Sequence, residues 1–190
     1  MISSNQFAGH IPEEIGALAR LYVFSASDNR LAGPLPSALG RLAGLQVLDL
    51  HNNSLSGEIP RGIQAWQHLS ELNLASNNLT GSIPPELGGL VVLNYLDLSN
   101  NLLTGSIPLE LQNLKLNIFN LSNNKLSGNV PPLYAAQAYR DSFLGNPGLC
   151  REPPEQCPAS RQWSAGKLLF IFWIILALAG LALVIGVTGR

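Results

Sequence analysis

The sequence predicts a right-handed α/β-type solenoid, with parallel strands on its concave face and 3₁₀ or extended backing on its convex side, followed by a single transmembrane helix. Two observations predict it: a self-similarity of about 24 residues running through the first two thirds of the chain, and an uncharged apolar run near its end.

The self-similarity comes first because a fixed period of this size decides the architecture before any local motif does. Leu21, Leu45, Leu69, Leu93 and Leu116 fall in register at spacings of 24, 24, 24 and 23 residues. Each unit continues L-x-x-L-x-L-x-x-N, as in Leu45-Gln46-Val47-Leu48-Asp49-Leu50-His51-Asn52-Asn53. Alternating leucines suit a short strand with one face in the core, so one strand per repeat is expected. An asparagine recurs at Asn5, Asn29, Asn53, Asn77, Asn101 and Asn124. A buried amide there can satisfy backbone groups that the bending chain leaves unpaired, and stacked copies would form a ladder.

A glycine recurs at Gly9, Gly33, Gly57, Gly81, Gly105 and Gly128, each followed three residues later by a proline, from Pro12 to Pro131. Glycine suits a tight bend, and proline fixes φ and removes a donor, so this half of the unit should be extended or 3₁₀ rather than a long helix. A single repeat cannot bury its leucines without neighbours. At the N-terminal end Phe7, Ile11, Ile15 and Leu18 are therefore expected to face water.

From Leu168 to Val187 run twenty residues without a charge. At a helical rise of about 1.5 Å each they span ~30 Å, the thickness of a bilayer's hydrocarbon core. Trp163, Lys167 and Arg190 flank the run as interface anchors, but Arg161 and Lys167 against a lone Arg190 do not set its orientation. Between solenoid and span lie Cys150 and Cys157 in a Pro-rich stretch. A disulfide closing the last repeat is the simplest reading; two free thiols or a metal pair are the alternatives. Zinc would need further ligands, and His10, His51 and His68 are scattered over three repeats. The expected organisation is about five and a half repeats over residues 1–131, a cap and juxtamembrane linker over 132–166, the transmembrane helix over 167–188 and a truncated tail at 189–190. Met1-Ile2-Ser3-Ser4-Asn5 carries none of the marks of a signal peptide, which suggests a start inside a repeat.

With 12% charged residues and a net charge of -1, the chain has no basic field to collect nucleic acid. Strand alternation places Val23, Ser25 and Ser27, then Val47, Asp49 and His51, then Glu71, Asn73 and Ala75, then Tyr95, Asp97 and Ser99, then Ile118, Asn120 and Ser122 on the concave face. His51, Glu71, Asn73, Tyr95 and Asp97 are the candidate partner-binding residues, the aromatic and imidazole side chains being the stronger anchors. Asp49 and Asp97 would stand ~10 Å apart at two strand spacings, near the separation of an inverting glycosidase pair. A shallow ruled surface offers them no desolvated pocket, so catalysis is not expected. No phosphate-binding loop, G-x-S-x-G, H-E-x-x-H or kinase motif occurs, and neither an enzyme activity nor a cofactor is expected. Three N-x-[ST] sequons, at Asn52, Asn78 and Asn120, are candidate glycosylation sites.

Units such as Leu69-Ser-Glu-Leu-Asn-Leu-Ala-Ser-Asn-Asn-Leu-Thr-Gly-Ser-Ile-Pro84 resemble the plant-specific class of leucine-rich repeats. The stretch from Leu114 through Cys150, with LKLNIFNLSNNKLSG and YRDSFLGNPGLC, resembles the end of the ectodomain in plant receptor kinases of the HAESA and HAESA-like type. The resemblance implies a single-pass receptor at the plasma membrane, with extracellular repeats that bind a secreted peptide hormone and a cytoplasmic serine/threonine kinase. It also implies that the last repeats and cap meet the ectodomain of a shorter co-receptor kinase. The kinase, the signal peptide, the N-terminal cap and the Arg-x-Arg pair that holds the peptide's carboxylate in related receptors have no counterpart in these residues.

Five strands at ~4.8 Å make a face ~19 Å long, against roughly 40 Å for an extended peptide of about twelve residues. A whole hormone is thus expected only on the full-length parent, and the partners expected here are a co-receptor ectodomain or another protein, with membrane lipid around the span. Three other readings compete: an incomplete gene product without independent activity, a tail-anchored chain with cytosolic repeats, and a soluble enzyme inhibitor of the kind that blocks pathogen pectinases.

Overall fold

The computed structural model describes residues 2–150, all within one compact unit, Met1–Pro153. Cys157, the juxtamembrane linker and the expected span lie outside the described residues, among which no helix is long and apolar enough to cross a membrane.

The described residues form a leucine-rich-repeat solenoid. Five three-residue strands, Val23–Ser25, Val47–Asp49, Glu71–Asn73, Tyr95–Asp97 and Ile118–Asn120, pair in parallel and in chain order to make the concave sheet. Their register aligns the repeats residue by residue. The middle positions Phe24, Leu48, Leu72, Leu96 and Phe119 stack inward, and the three leucines among them are fully buried. Alternation along each strand leaves the flanking positions on the open face.

A second row of parallel strands flanks the first: Ala8–Gly9, Arg30–Pro34, Ser54–Glu58 and Asn78–Thr80. A third sheet, Thr104–Gly105, Lys125–Asn129 and Gly148–Cys150, continues it through a bridge from Ser82 to Thr104. Two bends per repeat make room for this lateral row. One is the recurring glycine, with φ between 73° and 97° from Gly9 to Gly128. The other is the residue just before each ladder asparagine: Ser4, Asp28, Asn52, Ser76, Asn100 and Asn123 all have φ of 54–56°. Asn and Asp tolerate this left-handed region better than other side chains do.

The convex side is built of 3₁₀ turns, Glu13–Ala17, Ser37–Arg41, Gly62–Ala65, Pro85–Gly89 and Leu109–Asn113, as the proline spacing predicts. Four of them start from a proline N-cap at Pro12, Pro36, Pro84 or Pro108. Between the two sides lies one continuous leucine core in which Trp66 takes a leucine position, fully buried, its Nε1–H donating to the Leu39 carbonyl at 2.8 Å.

At the N-terminal end Phe7 and Leu18 are half exposed, as expected, but Ile11 is buried and Ile15 packs on the core. The Glu13 carboxylate binds the backbone N–H groups of Ser37 and Ala38 at 3.1 and 2.9 Å, tying the first backing turn to the second and drawing the segment around Ile11 inward.

At the other end the stack continues past residue 131. Short 3₁₀ turns at Pro132–Ala135, Gln137–Tyr139 and Asp141–Phe143 lead to the strand Gly148–Cys150, which pairs in parallel with Lys125–Asn129. Leu121 and Asn123 donate their N–H groups to the carbonyls of Ser142 and Leu144, so the concave edge is covered too. An aromatic cluster of Phe119, Tyr134, Tyr139 and Phe143 replaces the leucines here, with Phe119 and Tyr134 ring centroids 4.6 Å apart. The Tyr134 hydroxyl donates to the Leu111 carbonyl at 2.6 Å. Burial, followed by the neighbouring Tyr139, pushes its pKa up to about 12.

Candidate partner-binding surface

The surface is only as rigid as the ladder beneath it. Asn77 shares its amide hydrogens among the carbonyls of Leu50, Leu74 and Ala75 at 3.0–3.2 Å, while its Oδ1 accepts the Leu55 N–H at 2.9 Å. Asn29, Asn53, Asn101 and Asn124 repeat the pattern, each joining its own turn to the one before. The side chain of Asn5, exposed at the end, donates to the carbonyls of Ile2 and Ser3 within its own turn. A seventh ladder asparagine, Asn146, escaped the sequence reading. Its Oδ1 accepts the Leu126 N–H, and its Nδ2 reaches the carbonyls of Leu121 and Phe143. The signal was present: Asn146 follows Asn124 by 22 residues, close to the repeat period.

On this frame the concave face carries two distinct lanes. Val23, Val47, Glu71, Tyr95 and Ile118 align in one, largely apolar and broken by Glu71. Ser25, Asp49, Asn73, Asp97 and Asn120 align in the other, wholly polar. Beyond them Ser27, Ala75 and Ser99 are buried, as is Ser25, and contribute little accessible surface. The candidates His51, Glu71, Asn73, Tyr95 and Asp97 are all half-buried rather than projecting.

The structure gathers some of them and leaves others apart. His51 Nδ1 lies 2.6 Å from Asp49 Oδ1, and its Nε2 lies 3.7 Å from Asp28 Oδ2. Asn73 Nδ2 approaches the same Nδ1 at 3.3 Å. Asp28 was missed because it stands outside the strand alternation, on the left-handed bend, where Asn52 Nδ2 donates to its Oδ1 at 2.7 Å. Asp97 is occupied separately: Oδ1 takes the Ser99 N–H at 2.9 Å and Oδ2 takes the Asn120 amide at 3.3 Å.

Burial raises the Glu71 pKa, and the Asp49 charge adds to the rise while His51 opposes it. Tyr95 is raised by burial and then by Asp97, Glu71 and Asp49 in turn. The electrostatic picture is a negative strip beside an aromatic anchor, in an open face. Among the described residues no set of three or more metal-ligating side chains converges.

At the cap, an open cleft of about 320 Å³ is lined by Val130, Phe143, Leu144, Pro147, Leu149 and Arg140. Cys150, ending the last strand beside it, is disulfide-bonded. Of the sequons, Asn52 sits on a left-handed bend, Asn78 on an exposed lateral strand and Asn120 in the polar lane.

The leucine-rich-repeat family pattern matches residues 44–66, 68–90, 92–114 and 115–135. The chain is similar to receptor-like protein kinase 5 of Arabidopsis thaliana, 52% identical over 80 residues, which cover 40% of this chain and 8% of that protein. Among solved structures it is similar to the Arabidopsis receptor kinase HAESA in complex with the peptide hormone IDA and the co-receptor SERK1. That match has a TM-score of 0.77 and 57% identity, covering 78% of this chain and 25% of HAESA's. A second is pollen receptor kinase 3, with a TM-score of 0.63 and 35% identity over 74% of this chain and 69% of that one. The chain thus spans a small part of the HAESA ectodomain and most of the pollen receptor's crystallised chain. Repeat spacing, ladder, lateral strands and cap converge with these similarities: the chain belongs to the leucine-rich-repeat ectodomains of plant receptor kinases and is similar in part to that of HAESA.

Proposed function

We propose that this chain is a recognition module of a single-pass plasma-membrane receptor, with its repeats outside the cell and the run Leu168–Val187 as its anchor among membrane lipids. Its partner is a co-receptor kinase ectodomain or another protein, engaged by His51, Glu71, Asn73, Tyr95 and Asp97 together with the cap. HAESA's own complex with a co-receptor supports this assignment. A peptide hormone binds only the full-length parent, because five strands present too short a face to hold an extended hormone. The module acts by binding, with neither catalysis nor a cofactor.

The observation that carries the proposal is the lane Val23–Val47–Glu71–Tyr95–Ile118, held in register by the ladder and open along its length. An aromatic side chain between Glu71 and Ile118, in a lane otherwise aliphatic and rimmed by polar groups, has the composition of a protein-binding centre. The test is capture of a purified co-receptor ectodomain by the full chain in detergent micelles. Wild type is expected to bind, and Tyr95→Ala and His51→Ala each to weaken binding by about tenfold or more, the scale of an interface hot spot. Equal capture by wild type and both variants overturns the assignment of these residues.

A further inference from the structure

We infer that, of the three sequons, Asn78 is the one that carries an N-linked oligosaccharide, and that the glycan covers the lateral flank of the solenoid. The inference rests on the reading that the repeats enter the secretory lumen.

The three acceptor amides differ in what the fold already asks of them. Asn52 holds a left-handed φ of 54°, and its Nδ2 is committed to Asp28 Oδ1 at 2.7 Å. Asn120 is half-buried in the polar lane, its Nδ2 directed at Asp97 Oδ2 at 3.3 Å and its Oδ1 taking the Ser122 N–H at 3.1 Å. A sugar attached to that nitrogen would have to fit between adjacent strands on the inner face of the curve. Asn78 is exposed in the strand Asn78–Thr80, and its side chain makes no hydrogen bond to any described residue. Asn78 and Thr80 are both exposed and two apart on one strand, so amide and hydroxyl share the outer face while Leu79 between them is fully buried.

The chemistry adds one bond. The Asn78 Nδ2 attacks C1 of the first sugar of a lipid-pyrophosphate-linked oligosaccharide, the C1–O bond to pyrophosphate breaks, the lipid pyrophosphate leaves, and Nδ2 gives up one of its two protons. Because transfer precedes folding, the folded state need only tolerate the product, and at Asn78 nothing is displaced. The neighbouring flank fits the same reading. Leu102, which occupies the position of Asn78 in the next repeat, is exposed on the same side, and a glycan one turn away shields it. A sugar there closes the lateral approach and leaves the concave lanes free for a partner.

The full chain is expressed in plant cells behind a secretory leader, with a tag that carries its own sequon as an independent report of lumenal entry. Glycosidase shifts are compared for wild type and for Asn52→Gln, Asn78→Gln, Asn120→Gln and Thr80→Ala. The expected result is the tag glycan plus one more in wild type, Asn52→Gln and Asn120→Gln, and the tag glycan alone in Asn78→Gln and Thr80→Ala. A glycosylated tag with an unchanged second shift in Asn78→Gln and Thr80→Ala overturns the site while leaving the lumenal reading intact. An unmodified tag overturns the lumenal reading and the inference with it.

Discussion

Asn146 Oδ1 accepts the backbone N–H of Leu126 at 3.1 Å, the bond that Asn124 makes to Leu103 at 3.0 Å one turn earlier. The cap is therefore one more turn in disguise: it has lost the leucine pattern and kept the rung. Replacing Asn146 by Ala strands the Leu126 N–H and the carbonyls it serves, a cost of about 1–3 kcal/mol for buried polar groups left unpaired. Urea denaturation should show the loss, and hydrogen exchange should place it around Leu121 and Leu126. Exchange spread evenly over all repeats would contradict a rung confined to the cap.

Gly88 and Gly89 are adjacent in one convex turn and should respond oppositely to the same substitution. A Cβ on Gly88 would run into the backbone carbonyl of Glu110 in the next turn, whereas one on Gly89 meets nothing within 4 Å. Gly88→Ala is expected to cost about 1–3 kcal/mol through forced separation of the two turns. Gly89→Ala should be neutral, or stabilising by up to about 1 kcal/mol through the stiffer unfolded chain. Paired thermal melts decide it.

Tyr134 gives the cap a pH limit. Its folded pKa stands near 12, above the ordinary 10.0. A group whose pKa is raised by folding contributes stability that is intact below the unfolded value and lost as the pH climbs through the folded one. Stability should thus hold to about pH 10 and fall toward pH 12 in wild type. Tyr134→Phe lacks that slope but loses the bond to Leu111, at about 1 kcal/mol. Denaturation midpoints across this range, against tyrosinate absorbance, test both parts.

Glu71 follows the same sign as Tyr134 but at lower pH, so its penalty is already present at neutrality. Its carboxyl is raised mainly by burial and then by Asp49, so the charged form is the disfavoured one in the fold. The contribution of its protonated form is lost as the pH rises through the folded pKa, leaving a small deficit above it. Glu71→Gln should raise the unfolding free energy slightly at pH 7, by no more than about 0.5 kcal/mol at so open a site. The gain should vanish in acid; a larger gain at low pH would reverse the assigned direction.

Much of this architecture was legible because the period is physical: leucines at strand spacing, an asparagine at each bend and a glycine before each proline all answer backbone demands that recur every turn. The left-handed residue before each rung was not read, although Asp28, Asn52, Asn100 and Asn123 are the side chains that conformation favours. Ser4 and Ser76 hide the pattern at two of six places. Asn146 was hidden by the breakdown of leucine spacing around it, since Phe143 and Tyr134 fill the core by aromatic bulk instead. The approach of Asp28 to His51 could not be read from strand alternation at all, because it spans two repeats and depends on where the bend aims a side chain.

Trp66 gives the molecule a built-in optical probe. Fully enclosed and tethered to the Leu39 carbonyl, it reports on the seam between the second and third backing turns, away from both ends of the described stack. With Trp163 and Trp173 replaced by Phe, its emission would be blue-shifted while that seam is shut and would move to the red only when the middle of the stack opens. End fraying, which exchange methods register, would leave the colour unchanged, so the two signals together would time the order in which turns come apart.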